Sequence, residues 1–366
     1  MKTLSIIGST GSIGNSALKV YFKNKKKFFL HSIGANSNIK KLLIQSKKFK
    51  PKKIILFNNN KYKNKKILNL DTFIKKQNKK IDYIISGISG YDALEINLKL
   101  TKISKNLLIA NKETIICGGP IFLNLAKKNN CKIVPIDSEH HCIDFFLNNF
   151  YLSKKIKKIY LTASGGPFLN KKINYKSSVK QALKHPTWKM GKKISIDSST
   201  MANKVLELFE AFFLFEINNK SLDIKIEKTS NIHAIIELNN NIFIPIMHEP
   251  SMMLPIANSL NISNDCNFKF KNLILDIRDP NLKKFPLINL GKKIMNKYGH
   301  SGMILFTVLN ERLVKMFLNN EIYYGDITKF LVNIFSKKKV ILKSKKKIKN
   351  IKEIREAISF AKKIII

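Results

Sequence analysis

The first fourteen residues constrain the fold more than any other stretch. Residues 3–7 read as a buried strand, Gly8-Ser-Thr-Gly11-Ser-Ile-Gly14 follows at once, and a helical pattern runs from Asn15. Strand, glycine-rich turn and helix is the context in which backbone N–H groups meet a dinucleotide pyrophosphate at a helix N-terminus. The spacing is GxxGxxG, not the commoner GxGxxG, so the motif needs support from the rest of the chain.

That support comes from alternation. Further strands are expected at 28–33, 53–57, 81–86, 107–110 and 131–136, separated by helical stretches near 39–47, 93–99 and 120–128. Such a pattern describes a doubly wound parallel sheet, which takes its ligand at the carboxyl ends of the strands. The turn after the second strand carries Asn36, Ser37 and Asn38 at the place where such folds bind the adenosine ribose. An acidic residue there favours NAD, and none is present. Hydrogen bonds from these three side chains to a 2′-phosphate point towards NADP, against the plainer reading of a polar turn. Asn111, Lys112 and Glu113 fall at the end of a later strand, although Lys112 by itself reads as one surface lysine among many.

Further along, Asp137-Ser-Glu139-His140 ends a strand. Side chains two apart on an extended segment share a face, so Asp137 and Glu139 can converge on one cation. With a third carboxylate this set suits Mg²⁺ or Mn²⁺; the alternative is a pair of solvated acids at a turn. A strand at 159–163 enters Ser164-Gly-Gly-Pro-Phe168, a tight turn able to bring backbone close to an anion. Residues 185–207 read HPTWKMGKKISIDSSTMANKVLE, with the only Trp of the chain. Ser198, Ser199 and Thr200 are good N-cap residues, so a helix is expected to start there, and a helix N-terminus favours phosphate. Within that helix Asn203 and Lys204 stand four and three residues before Glu207, near one face. A solvated helix with a salt bridge is the bland reading of the same pattern. Strands are expected at 222–226, 232–237 and 242–246, a connector at 261–286, and helices from 287 to the end.

Lys plus Arg number 67 against 24 Asp plus Glu, a formal charge of +43. Nucleic acid is not the expected partner, because the arginines are only Arg278, Arg312 and Arg355 and the lysines are spread from end to end among Asn and Ile. A genome-wide compositional drift gives the same pattern. Cys117, Cys131, Cys142 and Cys266 form no metal-knuckle spacing or disulfide framework, which fits a reducing cytoplasm. No apolar signal core opens the chain and no apolar run reaches membrane-spanning length, so a membrane partner is not expected.

Taken in order, GSTGSIG, ANKE, PIDSEH, SGGPF, HPTWKMG and DSSTMANKVLE closely resemble the 1-deoxy-D-xylulose 5-phosphate reductoisomerase family. The resemblance runs from Met1 to about Pro255 and weakly through the tail. It implies an α/β protein with an N-terminal doubly wound dinucleotide-binding domain (1–136), a central α+β catalytic domain (137–260) with a lid loop at 185–193, a connector (261–286) and a C-terminal helical domain (287–366). It also implies a cytoplasmic homodimer that uses NADPH and a divalent metal (Mn²⁺, Mg²⁺ or Co²⁺) to rearrange and reduce a small-molecule sugar phosphate. On the family pattern the metal ligands fall on Asp137, Glu139 and Glu207. Ser164, Ser198, Asn203 and Lys204 match the substrate phosphate site with His185 closing over it, while Lys112 and Ser138 match groups holding the sugar hydroxyls. Lys112, Glu139 and His185 are the catalytic candidates. Thr10, Gly11, Ser12, Ile13, Asn36, Ser37, Asn38, Asn111, Glu113 and Gly191 match cofactor contacts, and Trp188 and Met190 fall on the lid. Many family members carry Lys or Arg where this chain has Ser37. A basic nucleic-acid-binding protein and a non-catalytic relative are the rival readings; the complete carboxylate set argues against both.

Overall fold

Long buried runs without alternation build the first sheet of this computed structural model, which describes residues 1–57, 67–150, 155–188, 190–262 and 275–365. The last four residues of β1 (Lys2–Ile7) are all buried, as a parallel strand covered on both faces requires. After it come α1 (Ser12–Lys23), β2 (Phe28–Ala35), α2 (Ile39–Phe49), β3 (Lys53–Leu56), β4 (Ile67–Leu68), α3 (Leu70–Lys75), β5 (Ile81–Ser86), α4 (Ala93–Leu100), β6 (Ser104–Ile109), α5 (Lys112–Lys128), β7 (Lys132–Pro135) and α6 (Ser138–Asn149). The sheet order is β4-β3-β2-β1-β5-β6-β7, parallel throughout. Strand order reverses at β1, between β2 and β5, so the glycine-rich turn after β1 sits at a topological switch point. The expected doubly wound sheet is present.

The remaining elements are β8 (Ile156–Ala163), α7 (Val179–Ala182), α8 (Lys192–Thr200), α9 (Ala202–Leu214), β9 (Leu222–Glu227), β10 (Ile232–Leu238), β11 (Phe243–Met247), α10 (Met253–Ser259), β12 (Ile277–Arg278), α11 (Leu287–Lys297), α12 (Gly299–Leu318), α13 (Tyr324–Ile334), α14 (Lys338–Ser344) and α15 (Ile351–Lys363). The chain forms two compact units. The first draws on Met1–Asn111, Phe122–His141 and the segment beginning at Ser251; the second draws on Lys112–Ile121, Cys142–Pro250 and the C-terminal helices.

In the first unit, Leu4, Ile6, Leu30, Ile33 and Tyr83 from the sheet form one core with Ala17 and Leu18 of α1, with Ile256 and Ala257 of α10 and with Leu260 at its C-cap. In the second, a mixed sheet has the order β11-β10-β8-β9-β12, with only β8 and β9 parallel. Helix α9 is buried along most of its length and packs on α11. A Cβ at Gly291 of α11 would stand 2.4 Å from Val205 Cγ1, so that crossing is close enough to need glycine. Helix α12 packs against α11, α13, α14 and α15. No helix among the described residues is long and apolar enough to cross a membrane. Part of the expected connector, 263–274, lies outside the described residues, as does Cys266.

Three local expectations are corrected. The helix expected to start at Ser198 to Thr200 is two helices: α8 already runs through these residues, Met201 turns left-handed at φ 62°, and α9 begins at Ala202. The hydroxyls serve both helix ends, since Ser199 Oγ donates to Ile196 O (2.6 Å) and Thr200 Oγ1 accepts from Ala202 N (3.3 Å). The segment before Pro120 is helical too; α5 starts at Lys112 and is interrupted at Gly119 (φ 48°, ψ −143°), a backbone conformation suited to glycine. Glu139 lies in the first turn of α6, so strand alternation is not what relates it to Asp137.

Candidate active site

In the first unit the glycine-rich turn is drawn tight by its own backbone. The amides of Gly8 and Ser9 both donate to Gly34 O at 2.8 Å, and Gly11 N donates to Gly8 O at 3.1 Å. Gly8 has φ 89°, and a Cβ there would stand 2.6 Å from Gly87 O in the turn after β5. A Cβ on Gly14 would lie 2.3 Å from Gly8 O, so α1 abuts the turn. Gly11 is the N-cap of α1 and brings no side chain to satisfy the first amides. Ser12 and Ile13 therefore open a helix N-terminus with their backbone amides, beside Thr10 and Gly11, the arrangement an anion needs.

Asn36, Ser37 and Asn38 form the exposed turn between β2 and α2, and Asn38 caps α2 by accepting from Lys41 N at 3.1 Å. Asn111 is buried after β6 and donates to Gly90 O at 3.2 Å. Asp137 and Ser138 are buried and Glu139 is partly so. Ser138 Oγ donates to Glu139 Oε2 at 2.5 Å, and Asp137 Oδ2 lies 3.4 Å from His140 Nδ1.

In the second unit the polar residues converge on Glu207, whose side chain is 1% exposed. Asn203 Nδ2 donates to Oε1 at 2.5 Å, Lys204 Nζ donates to Oε2 at 2.6 Å, and Lys112 Nζ lies 3.7 Å from Oε1. The helical spacing of the first two thus forms real bonds, and Lys112 is buried rather than a surface lysine. Two ammonium groups and an amide stabilise the ionised carboxylate, which keeps oxygen lone pairs to offer a cation.

The turn at Ser164 reaches the same region. A Cβ on Gly166 (φ 66°) would stand 2.7 Å from Ser198 O, so this turn closes on the end of α8. Ser164 Oγ and His185 Nε2 are 3.0 Å apart. His185 Nδ1 accepts the amides of Trp188 (3.0 Å) and Thr187 (3.3 Å), which places the ring proton on Nε2, facing the serine. Burial, aided by the nearby charge of Lys204, lowers the His185 pKa to about 4, so the ring is neutral at pH 7. Trp188 lies edge-on to His233 with centroids 6.3 Å apart, and Thr187 Oγ1 meets Ser230 Oγ at 2.9 Å. Trp188 and Met190 flank Lys189, which is outside the described residues; Gly191 is the N-cap of α8.

Glu113, in the first turn of α5, pairs with Lys193 of α8. Burial raises the Glu113 pKa, but the Lys193 ammonium outweighs it and holds the carboxyl below its ordinary value. Lys193 also pairs with Asp197 (2.8 Å), which accepts from Asn310 Nδ2 (2.7 Å). The sequence does not single out Lys193, nor Lys41, whose Nζ donates to Thr10 O at 2.8 Å. Neither has a signal in a chain with so many lysines.

Comparison with known proteins agrees with this geometry. The 1-deoxy-D-xylulose 5-phosphate reductoisomerase family profile matches residues 4–119, and two profiles of the C-terminal domain of the same enzyme match 133–215 and 247–364. The 1-deoxy-D-xylulose 5-phosphate reductoisomerase of Pelagibacter ubique is 42% identical over 91% of each chain, and that of Ehrlichia canis 37% over 89%. A crystal structure of DOX-P reductoisomerase in complex with NADPH, fosmidomycin and magnesium superposes with a TM-score of 0.90 at 30% identity, covering 99% of this chain and 96% of that one. This chain belongs to the 1-deoxy-D-xylulose 5-phosphate reductoisomerase family.

Proposed function

We propose that this protein converts 1-deoxy-D-xylulose 5-phosphate to 2-C-methyl-D-erythritol 4-phosphate, with NADPH as reductant and a divalent metal ion as cofactor. The observation that carries the reading is the buried Glu207 carboxylate, gathered by Asn203, Lys204 and Lys112 in a member of this family. Asp137, Glu139 and Glu207 are the metal ligands. Their donor atoms are all carboxylate oxygens, the type that Mg²⁺ and Mn²⁺ prefer, so the set fits a hard cation. Bound there, the ion supplies Lewis acidity for the carbon-skeleton rearrangement. NADPH, held at the glycine-rich turn, would supply the hydride for the reduction.

The chain's own residues bind and orient. Ser164, Ser198, Asn203 and Lys204 hold the substrate phosphate, and His185 donates to it through Nε2 in place of Ser164 Oγ. Lys112 and Ser138 hold the sugar hydroxyls, the ammonium also favouring negative charge that develops on oxygen. Thr10, Gly11, Ser12 and Ile13 receive the pyrophosphate on backbone amides, with Asn36, Ser37 and Asn38 at the ribose and Asn111, Glu113 and Gly191 at further cofactor contacts. Trp188 and Met190 belong to a lid, 185–193, that excludes water during reduction.

Residues 1–136 form the cofactor domain, 137–260 the catalytic domain and 287–366 a helical domain joined by 261–286, and the protein works as a cytoplasmic homodimer. One assay tests the reading: loss of reduced-nicotinamide absorbance with 1-deoxy-D-xylulose 5-phosphate and Mg²⁺ or Mn²⁺, abolished by chelator and restored by added metal. No turnover with either metal overturns it.

A further inference from the structure

The turn that receives the adenosine ribose carries no cation, for Asn36, Ser37 and Asn38 are neutral and the Asn38 carboxamide is engaged as the N-cap of α2. A cation nevertheless stands beside it. Lys41, in the first turn of α2, donates from Nζ to Thr10 O at 2.8 Å and so reaches from the helix to the glycine-rich turn. This amine is placed by more than its own bond. Gln45, four residues on and on the same helix face, is buried against the same turn. Its Oε1 accepts from Ser9 Oγ at 2.8 Å, and its Nε2 donates to Ser9 O at 2.9 Å and to Asn15 Oδ1 at 3.2 Å. Helix α2 is therefore fixed in register against the glycine-rich turn, with the Lys41 ammonium on Thr10 O and the Lys41 backbone amide on the Asn38 side chain. An ammonium has three donors, so after Thr10 O it still has N–H groups to offer an anion. Neither the glycine-rich turn nor the first two turns of α2 contains an Asp or Glu to neutralise it.

We propose that Lys41 is the residue that makes this protein select NADPH over NADH, by pairing with the ribose 2′-phosphate. The inference rests on reading the glycine-rich turn as the NADPH site. The 2′-phosphate takes up the remaining donors of Nζ, while Asn36 and Ser37 add hydrogen bonds from uncharged donors, which bring no countercharge. NADH offers only a 2′-hydroxyl, for which the lysine charge gains little.

The test is equilibrium binding of NADPH and NADH, measured by calorimetry without metal or sugar phosphate, on wild type, K41M, K40M and the double variant S37R/K41M. Lys41→Met keeps the aliphatic stem and removes the charge. It is expected to weaken NADPH by about tenfold to a hundredfold, the range for a hydrogen bond to a charged group, while NADH binding stays within about twofold. Lys40→Met, next door on the exposed side of α2, is expected to leave the ratio intact. Ser37→Arg in the K41M background is expected to restore NADPH preference by returning a cation to the turn. A parallel loss of both nucleotides in K41M, an unchanged ratio, or an equal loss in K40M overturns the assignment to Lys41. Wild type that binds neither nucleotide overturns the reading of the glycine-rich turn as well, which separates the two failures.

Discussion

Lys193 Nζ lies 2.8 Å from Asp197 Oδ2, one turn along α8, and the same amine pairs with Glu113 in the first turn of α5. One half-buried cation thus ties the residue after Lys112 to the residue before Ser198. Burial alone lowers the Lys193 pKa, yet the carboxylates of Asp197 and Glu113 reverse that and raise it, so the amine stays charged at any working pH. Lys193→Met removes the cation that the carboxylates of Glu113 and Asp197 share. Removing one partner of a buried pair costs about 3 kcal/mol or more, so the variant is expected to melt several degrees lower. Because Lys112 and Ser198 are held in place through this pair, KM for the sugar phosphate should rise in the fraction that remains folded. Thermal melting and steady-state kinetics check both; an unchanged KM confines Lys193 to stability.

Glu207 gives a sharper test of the metal. Glu207→Gln keeps the shape and an acceptor for Lys204 but removes the charge that a hard cation needs. Metal-dependent turnover is expected to fall by orders of magnitude, and because the neutral amide weakens the buried pairing with Lys112 and Lys204 the melting temperature should fall by a few degrees too, so turnover is compared per folded protein. Isothermal titration with Mn²⁺ should show weakened binding in the same variant. Normal activity in E207Q would falsify the ligand assignment.

How much of this was legible in the sequence follows the physics of each signal. The parallel sheet was, because buried strands leave continuous apolar runs: the strand expected at 81–86 is β5 (Ile81–Ser86) without a shift at either end. The cluster on Glu207 was legible because Asn203 and Lys204 lie at helical spacing from it. The break at Met201 was not, because Ser and Thr serve helix starts and helix ends alike, and a left-handed Met has no local signature. The helix before Pro120 was hidden for a related reason. Proline reads as a first helical position, and only Gly119 at φ 48° lets an earlier helical segment run up to it. Long-range returns were beyond reach altogether: nothing local in 253–260 says that Ile256 and Leu260 join the core of the first unit. Lys193 and Lys41 were lost in the lysine background, where only burial and partners distinguish one ammonium from another, and Lys112 stood out from it only through the family resemblance.

Three histidines, one buried and two half-buried, set a pH limit on stability. His31, His185 and His300 are each lowered by burial from 6.5 to about 4, with Lys53 and Lys52 adding to the effect at His31 and Lys204 at His185. In the unfolded chain they take up protons near pH 6.5, so between that value and about 4 the unfolded state binds more protons than the folded one. Stability from this source is complete above about pH 6.5 and is lost as pH falls towards 4. His300 Nε2 donates to Ile116 O at 2.9 Å and Cys117 O at 3.2 Å, a role an amide can copy. His300→Gln is therefore expected to flatten the decline in urea midpoint between pH 6.5 and 4.5. An equally steep decline in the variant excludes His300 as a contributor.

Trp188, the only indole of the chain, reports on His185 directly. Its backbone N–H donates to His185 Nδ1 at 3.0 Å, its ring lies edge-on to His233, and the neighbouring Thr187 hydroxyl meets Ser230 at 2.9 Å. The indole is half-buried in this arrangement, so emission before ligand binding should be intermediate between that of core and exposed tryptophan. When the sugar phosphate binds with Mg²⁺, His185 is expected to exchange Ser164 Oγ for a phosphate oxygen. The ring then shifts, carrying the Trp188 amide with it, and the indole changes its packing on His233. Titrating the metal-loaded protein with 1-deoxy-D-xylulose 5-phosphate, without NADPH so that no turnover occurs, should change emission intensity with the same midpoint as calorimetric binding. Thr187→Ala, which removes the tie to Ser230, should shift the starting emission to the red while preserving the titration. His185→Ala should abolish the fluorescence response, and His185→Gln, which keeps a donor near the Nε2 position, should retain part of it. A spectrum that ignores the sugar phosphate while calorimetry records binding would show that His185 and Trp188 do not move with the ligand.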